Sequence, residues 1–311
     1  MPSIIRKFAA VTLAIFALWQ ACLPGSSAVA ESQDMPVYEP VQLEKVDAAP
    51  LDYTQKAPYS GKEGSFTEDG YLDGTLSVRI ETTRAYDTDI WLCWIQVADA
   101  SQLRTELANP QKPTSKATKS PMELSKRVRA VVALSGDSFA ENQGKAGIIY
   151  RNTEVLLDKK DSPTIDALLV DDEGDFHILE GSTKENFAPF EGHIVHTFSF
   201  GPGLIVDGKK IESAKYKNYA LNTGATKKAQ RVAFCQVDHL SYLCVVTKGP
   251  NDNQGMTLLQ MADFLEGLGV RQAYNLDGGS TSHLILNHEK VNGRSKRDIG
   301  DIIYFVTAEE E

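Results

Sequence analysis

The chain has 311 residues, of which 42% are hydrophobic and 24% are charged, a composition typical of a globular protein with a sizeable apolar core. Its formal net charge is −10 at pH 7, and loss of the two basic residues among the first thirty would make this −12. A protein this acidic repels the phosphates of nucleic acids and anionic lipids, so neither is expected as a general partner.

The first thirty residues have the form of a secretory signal peptide. Two basic residues precede an apolar run at 8–19, and small residues at 28–30 offer a cleavage site. The apolar run is short for a membrane span. The sequence therefore predicts a signal peptide over 1–30 and a mature protein that is secreted, extracellular or held at the cell surface. A lipid anchor on Cys22 and an uncleaved N-terminal membrane anchor remain open as alternatives.

The segment 31–70 is polar, with proline, glycine, lysine and glutamate scattered through it. This composition predicts a linker with little structure of its own. From residue 71 onward β-rich runs accumulate, and the sequence contains neither an internal repeat nor a low-complexity tract. We therefore predict one domain over 71–311.

The first part of this domain predicts two strands and a helix. Residues 75–83 and 89–97 are rich in β-branched and aromatic side chains, which favour strands. Residues 98–108 predict a short helix whose first turn would be capped by Asp99 or Ser101.

Two cysteines, Cys235 and Cys244, lie in strand-like runs on either side of a turn predicted between His239 and Leu240. A turn centred there would place the two cysteines opposite each other, and an exported protein could join them in a disulfide. Two buried thiols are the alternative. Cys93 has no evident partner, and the sequence shows no zinc-binding spacing.

The clearest helix is predicted over residues 257–268, where apolar residues recur on one face. Thr257 and Gln260 form a capping box at its start. Strand-like runs precede the helix at 242–247 and follow it at 272–276, which predicts a crossover with the two strands parallel. The predicted fold class is therefore α+β, a single domain with a mixed, twisted β-sheet flanked by a few helices.

The stretch "NLDGGSTS", residues 275–282, follows the last of these strands. Asp277 would leave the carboxyl end of the strand, where open α/β sheets bind ligands. Gly278 and Gly279 allow backbone N–H groups to converge on an anion. Asn275 lies two residues before Asp277 and would face the same way. A hairpin turn is the alternative, because Gly-Gly between two strands is common there. The hydroxyl groups that follow belong to Ser280, Thr281 and Ser282.

Three further residues have side chains suited to chemistry on a phosphate-bearing substrate. Asp137 follows an apolar strand and a glycine, Arg151 follows the apolar "GIIY", and Arg231 begins another strand. Either arginine could form a bidentate pair with a phosphate. Taken singly, each residue is also typical of a turn or a solvated surface.

Seven segments occur in an order that resembles the phosphodiester glycosidase family, which includes the uncovering enzyme, N-acetylglucosamine-1-phosphodiester alpha-N-acetylglucosaminidase. The resemblance covers about residues 75–308. The chain departs from the family pattern at Ser135, Lys248 and Ser280, where asparagine, an Asp-Gly-Arg segment and glycine are usual. The seven segments are "ALSGDSF", "GIIYRN", "FSFGPGLIVDGK", "QRVAF", "GMTLLQMADFLEGLGV", "YNLDGGSTS" and "DIIYF".

The resemblance implies hydrolysis of a sugar-1-phosphodiester, with a phosphorylated glycan as substrate. Asp137 and Asp277 would be the carboxylate pair that stabilises an oxocarbenium ion or activates water. Asp137, Asp277 and Arg231 would converge on one pocket, with Arg231 pointing toward the glycine amides. No cofactor is required for this chemistry, and a divalent cation held by the carboxylates is left open. The implied phosphate-binding residues are Arg231, Arg151, Asn275, Gly278, Gly279, Ser280 and Ser282.

A function from another class fits part of the same pattern. A non-catalytic module that binds anionic, phosphate-bearing glycans would also need Arg231 and the glycine-rich stretch. It would have no use for paired carboxylates, so these residues distinguish the two hypotheses.

Overall fold

The computed structural model describes residues 50–59, 61–137, 146–212, 225–249, 254–293 and 297–309, which all fall in one compact unit. The predicted signal peptide and the first part of the predicted linker lie outside these residues. Among the described residues no helix is both long and apolar enough to span a membrane.

β-Strands make up most of the described structure, and the helices are few and short. The strands in chain order are β1 (Gly70–Leu72), β2 (Leu76–Ala85), β3 (Thr88–Val97), β4 (Leu103–Leu107), β5 (Val132–Ser135), β6 (Ile148–Arg151), β7 (Glu154–Asp158), β8 (Ala167–Asp171), β9 (Phe176–Leu179), β10 (Ile194–Phe198), β11 (Gly203–Val206), β12 (Lys209–Lys210), β13 (Val232–Asp238), β14 (Ser241–Thr247), β15 (Gln272–Leu276), β16 (Leu284–Leu286), β17 (Glu289–Lys290) and β18 (Asp301–Phe305). The α-helices are α1 (Pro121–Val128), α2 (Lys184–Phe187) and α3 (Leu258–Gly267). Short 3-10 helices cover Glu63–Ser65, Ala100–Gln102, Ala188–Phe190 and Gly279–Thr281.

Two large sheets organise these strands. An eight-stranded sheet has the order β1-β2-β3-β14-β13-β15-β11-β12, and a five-stranded sheet has the order β17-β16-β5-β18-β4. The strands β10-β8-β9 and β6-β7 form two smaller sheets. Phe305 of β18 packs against Phe234 of β13 and Tyr242 of β14, with ring centroids 6.2 and 5.4 Å apart. These buried aromatic contacts join the two large sheets in one hydrophobic core.

The predicted mixed sheet is corrected by the strand pairing. All strand pairs within the described residues are antiparallel, and they are divided among four sheets. The crossover through α3 does make β14 and β15 parallel, but β13 lies between them and is antiparallel to both. The fold is a sheet-dominated α+β domain.

The helix that follows β14 agrees with its prediction. It covers Leu258–Gly267, and Thr257 and Gln260 form the reciprocal hydrogen bonds of a capping box. Its apolar face is buried through Leu258, Met261 and Leu265. The helix packs mainly against β11 and β12, and β11 is the neighbour of the strand that leads to the glycine-rich stretch.

The helix predicted over 98–108 is wrong. Asp99 does cap a turn, but this turn is the three-residue 3-10 helix Ala100–Gln102, and the chain then forms β4. Strand β4 pairs along its whole length with β18, and Leu103 and Leu107 are buried. Pairing with a strand almost 200 residues away overrides the local preference for helix.

The predicted opposition of Cys235 and Cys244 is also wrong. Asp238 pairs with Ser241 across the predicted turn, but the register shifts by one residue between Gln236 and Asp238. Cys235 therefore faces Leu243, Cys244 faces Phe234, and both cysteines are buried free thiols. A one-residue bulge turns the two side chains to opposite faces of the sheet, which removes the geometry for a disulfide.

The final part of the predicted linker, residues 50–58, packs on the domain. The buried guanidinium of Arg104 donates to the carbonyl oxygens of Asp52 and Gln55 at 2.9 and 2.7 Å. Ala57 is fully buried in a cluster that includes Val128 of α1. These contacts give residues 50–58 a fixed path over the five-stranded sheet and α1.

Candidate functional site

The stretch 275–282 connects the two large sheets. β15 pairs with β13 and β11 in the eight-stranded sheet, whereas β16 pairs with β5 in the five-stranded sheet. Because the flanking strands do not pair with each other, the hairpin alternative is excluded. Asp277 leaves the carboxyl end of β15 and is half-buried.

The two glycines of this stretch are required by the backbone path. A Cβ atom on Gly278 would lie 2.5 Å from the carbonyl oxygen of Gln230, and Gly279 has φ of +66°. The Gly279 N–H donates to the same Gln230 oxygen at 2.9 Å. This amide is therefore used within the fold and does not face an anion as expected.

Ser135, at the end of β5, hydrogen-bonds to the C-terminal end of the stretch 275–282. Its hydroxyl donates to the carbonyl oxygen of Thr281 and accepts from the backbone N–H of His283 at 2.8 Å. His283 is buried, and its Nε2 lies 2.9 Å from the carbonyl oxygen of Arg297. Desolvation lowers the pKa of His283 to about 4, so the ring is neutral at pH 7.

Asp137 is fully buried beside this stretch. Its Oδ2 accepts from the backbone N–H of Ser199 at 3.0 Å and lies 3.3 Å from the Arg151 guanidinium. Its own backbone N–H lies 3.1 Å from both carboxylate oxygens of Asp301. Asp137 thus contacts Asp301 through its backbone N–H and Arg151 through its side chain.

Arg151 lies between two carboxylates. Its Nη2 is 3.3 Å from Asp137 and 3.5 Å from Asp301, and its Nη1 donates to the carbonyl oxygen of Thr197. The guanidinium stacks over the Phe198 ring at 4.5 Å. An arginine held this way neutralises part of the buried negative charge.

Arg231 holds main-chain segments. Its Nε and Nη2 donate to the carbonyl oxygens of Met256 and Lys227, each at 2.9 Å. Burial lowers the pKa of Arg231 to about 10, which leaves it charged at pH 7. In the expected arrangement Arg231 faces the amides of Gly278 and Gly279 across a phosphate, and of these two the Gly279 amide donates to the Gln230 carbonyl oxygen.

A small cleft opens where β5, β18 and the stretch 275–282 meet. Asp277 lines it and Asp137 does not, so the two predicted carboxylates differ in their access to the cleft. Its lining residues are Thr118, Ser135, Gly136, Asp277, Thr281, Arg297, Asp298, Ile299, Gly300 and Asp301.

The sequence profile of the phosphodiester glycosidase family matches residues 128–306, more than half of the chain. The protein belongs to this family. The matched region contains β5, the stretch 275–282 and β18, which together form the cleft.

Two solved structures are similar in fold to this phosphodiester glycosidase domain. The zebrafish N-acetylglucosamine-1-phosphodiester alpha-N-acetylglucosaminidase catalytic domain, auto-inhibited by its pro-peptide, aligns with a TM-score of 0.61 at 17% identity, over 83% of this chain and 98% of that one. A hypothetical protein from Synechocystis aligns with a TM-score of 0.53 at 13% identity, over 74% and 62%. These likenesses show the fold. A comparison with curated proteins finds no match.

The other predicted phosphate-binding residues do not line this cleft. Asn275 is buried and donates to the Gly201 carbonyl oxygen at 2.8 Å. Ser282 is fully buried, and Ser280 is exposed. Within the described ranges, no group of three or more His, Cys, Asp and Glu side chains is arranged to hold a metal ion.

Sequence reasoning missed Asp301 and Arg297, which line the cleft of this phosphodiester glycosidase domain. Asp301 begins the "DIIYF" segment, and the register of Ile302 with Ser135 places it beside Gly136. Antiparallel pairing of this segment with β5 would have brought the two strand ends together, but that pairing is not visible in a local pattern.

Proposed function

We propose that the protein is an exported hydrolase that cleaves a sugar-1-phosphodiester linkage in a surface or extracellular glycan. Membership of the phosphodiester glycosidase family supports the reaction class. The half-buried Asp277, which leaves a strand end and lines the cleft, carries the assignment of the reacting site.

The proposed reaction is displacement at the anomeric carbon by water. The bond between this carbon and the bridging phosphate oxygen breaks, the electron pair leaves with the phosphate, and the sugar develops oxocarbenium character. A phosphate is a stable anion and needs little protonation to leave. Asp277 takes the proton from the attacking water, since its carboxylate has access to the cleft.

The leaving phosphate needs a cation in the same cleft. Arg297 is the basic residue among the cleft-lining residues that the structure describes, and it is exposed. We assign it the contact with the phosphate. Arg151 and Arg231, which hold main-chain and carboxylate groups, act by fixing the surrounding frame.

Turnover by purified mature protein tests this function. The probe is an N-acetylglucosaminyl-α-1-phosphodiester, and the variants are Asp277→Asn and, as a control, Asp238→Asn at the exposed end of β13. We expect the parent and Asp238→Asn to release sugar and Asp277→Asn to lose at least 100-fold of kcat, since it can no longer take the proton.

The melting temperature of Asp277→Asn should stay close to that of the parent, because a half-buried cleft carboxylate contributes little to packing. Binding of the probe by parent and variant without sugar release would instead favour the glycan-binding module. Full activity in Asp277→Asn would contradict the assignment of Asp277.

A further inference from the structure

We infer that Asp301, not Asp137, is the second catalytic carboxylate of the cleft, and that Asp137 and Arg151 are positioning residues. This inference rests on the proposed function and names a residue that acts with Asp277. It follows from which side chains line the cleft and how each one is held.

Asp301 and Asp277 line the same cleft from opposite sheets. Asp277 follows β15 of the eight-stranded sheet, and Asp301 is the first residue of β18 in the five-stranded sheet. A sugar bound in the cleft therefore lies between the two carboxylates. Both acids are buried, Asp137 at 0% and Asp301 at 1% exposure, but Asp301 lines the cleft and Asp137 does not.

The Asp301 carboxylate is fixed by its neighbours. The backbone N–H of Asp137 lies 3.1 Å from each of its oxygens, and Arg151 is 3.5 Å from Oδ2. The carboxylate also lies directly against Gly136, where an added Cβ would be 2.2 Å from Oδ2. Only glycine at 136 leaves room for this placement.

Asp137 positions the Asp301 carboxylate in two ways, directly through its backbone N–H and indirectly through its side chain. Its backbone N–H holds Asp301, while its side chain turns toward the Ser199 N–H and Arg151. Arg151 therefore bridges the two acids. The Asp137 side chain orients the arginine, and the arginine in turn orients Asp301.

Charge explains what a fixed carboxylate does here. With both acids ionised, Asp137 and Asp301 bring two formal negative charges beside the single positive charge of Arg151. A preorganised negative group stabilises the positive charge that develops on the sugar as the bond to phosphate breaks. Asp301 exchanges no proton in this step, and the proton of the attacking water goes to Asp277.

The test compares Asp301→Asn with Asp137→Asn and Asp166→Asn on the probe defined above. Asp166→Asn is the matched control, because Asp166 is also buried but accepts from the Gly203 N–H away from the cleft. We expect Asp301→Asn to lower kcat by about 100-fold to 1,000-fold with little change in KM, the range for loss of one preorganised electrostatic group. Asp166→Asn should keep kcat.

The pH profile separates a catalytic role from a structural one. Asp301→Asn should keep the acidic limb of the kcat/KM profile, which belongs to Asp277, while Asp277→Asn removes it. Asp137→Asn should lower the melting temperature and reduce kcat less than Asp301→Asn does. Should Asp301→Asn not fold, Asp301→Glu keeps the charge beside Arg151 and moves it by one methylene, which we expect to cost at least 10-fold in kcat.

Three outcomes are decisive. Near-parental kcat in folded Asp301→Asn or Asp301→Glu overturns the inference and leaves the proposed function standing. A larger kcat loss in Asp137→Asn than in Asp301→Asn, at an unchanged melting temperature, makes Asp137 the catalytic partner and also overturns it. A parent protein that does not cleave the probe removes the proposed function, and the inference with it.

Discussion

Gly136 leaves the Asp301 carboxylate room to lie against the main chain of residues 136 and 137. Ser135, one residue earlier, fastens Thr281 and His283 with its hydroxyl. Three consecutive residues at the end of β5 thus shape the cleft. Ser135 hydrogen-bonds to the stretch 275–282 and His283, Gly136 leaves space for the Asp301 carboxylate, and the Asp137 N–H positions that carboxylate. Local sequence identified this segment as a candidate site but did not show which carboxylate faces the cleft.

His283 predicts a pH dependence of stability. Its folded-state pKa of about 4 lies below the ordinary value of 6.5 because burial disfavours the charged ring. The unfolded chain therefore binds more protons between these two values, and the free energy of unfolding falls as pH decreases from about 6.5 to 4. We expect a loss of roughly 1–2 kcal/mol between pH 7 and pH 5 from this group.

Denaturant unfolding of His283→Gln at pH 7 and pH 5 measures this effect. The variant should lose part of the pH dependence, and the rest should persist because burial also lowers the pKa of His196, to about 3. The comparison variant is His193→Gln, since His193 is exposed and its hydrogen bond to Asp172 raises its pKa, so this variant should keep the full loss of stability at low pH. An identical loss of stability in parent and His283→Gln would contradict the prediction.

At the scale of elements, strand register decides several features that composition leaves open. The capping box of α3 and the strand after it are local and follow from neighbouring residues. The pairing of β4 with β18 and the shift in the β13–β14 hairpin are not local. A single extra residue in β13 separates the two cysteines that an unshifted turn would have placed opposite each other.

This register predicts the thiol content of the mature protein. Cys93, Cys235 and Cys244 are buried free thiols, and burial raises the pKa of the Cys235 thiol. We expect a thiol reagent to be nearly unreactive with the native protein and to titrate three thiols per mature chain after denaturation without reductant. Fewer than three would reveal a disulfide, and Cys93 with Cys244, which face each other across β3 and β14, would be the first pair to examine.

At the scale of the whole molecule, the site exists because two sheets meet. The stretch 275–282 runs from one sheet to the other, and the buried aromatic side chains between them fix the separation of Asp277 from Asp301. Packing of this kind is rigid, so the two carboxylates keep a defined spacing. The arrangement of the sheets therefore sets the width of the cleft.

Export is the prediction that concerns the whole chain. The basic start, the apolar run at 8–19 and the small residues at 28–30 motivate cleavage before Glu31. Mass spectrometry of the exported protein should give a mature N-terminus near this residue. A diacylglycerol on Cys22 would show instead that the protein is a lipoprotein, and an intact N-terminus would indicate a membrane anchor.

The amino-acid sequence by itself determined the features that depend on near neighbours. These include the capped helix α3, the strand that ends at Asp277, the family and the stretch that lines the cleft. Only the tertiary structure showed that Asp301 lines the cleft with Asp277 and Asp137 does not, because Asp137 and Asp301 are separated by 164 residues and meet through antiparallel pairing of β5 and β18. Strand pairing between residues this far apart in sequence depends on the burial of whole sheets, so it cannot be predicted from a local sequence pattern.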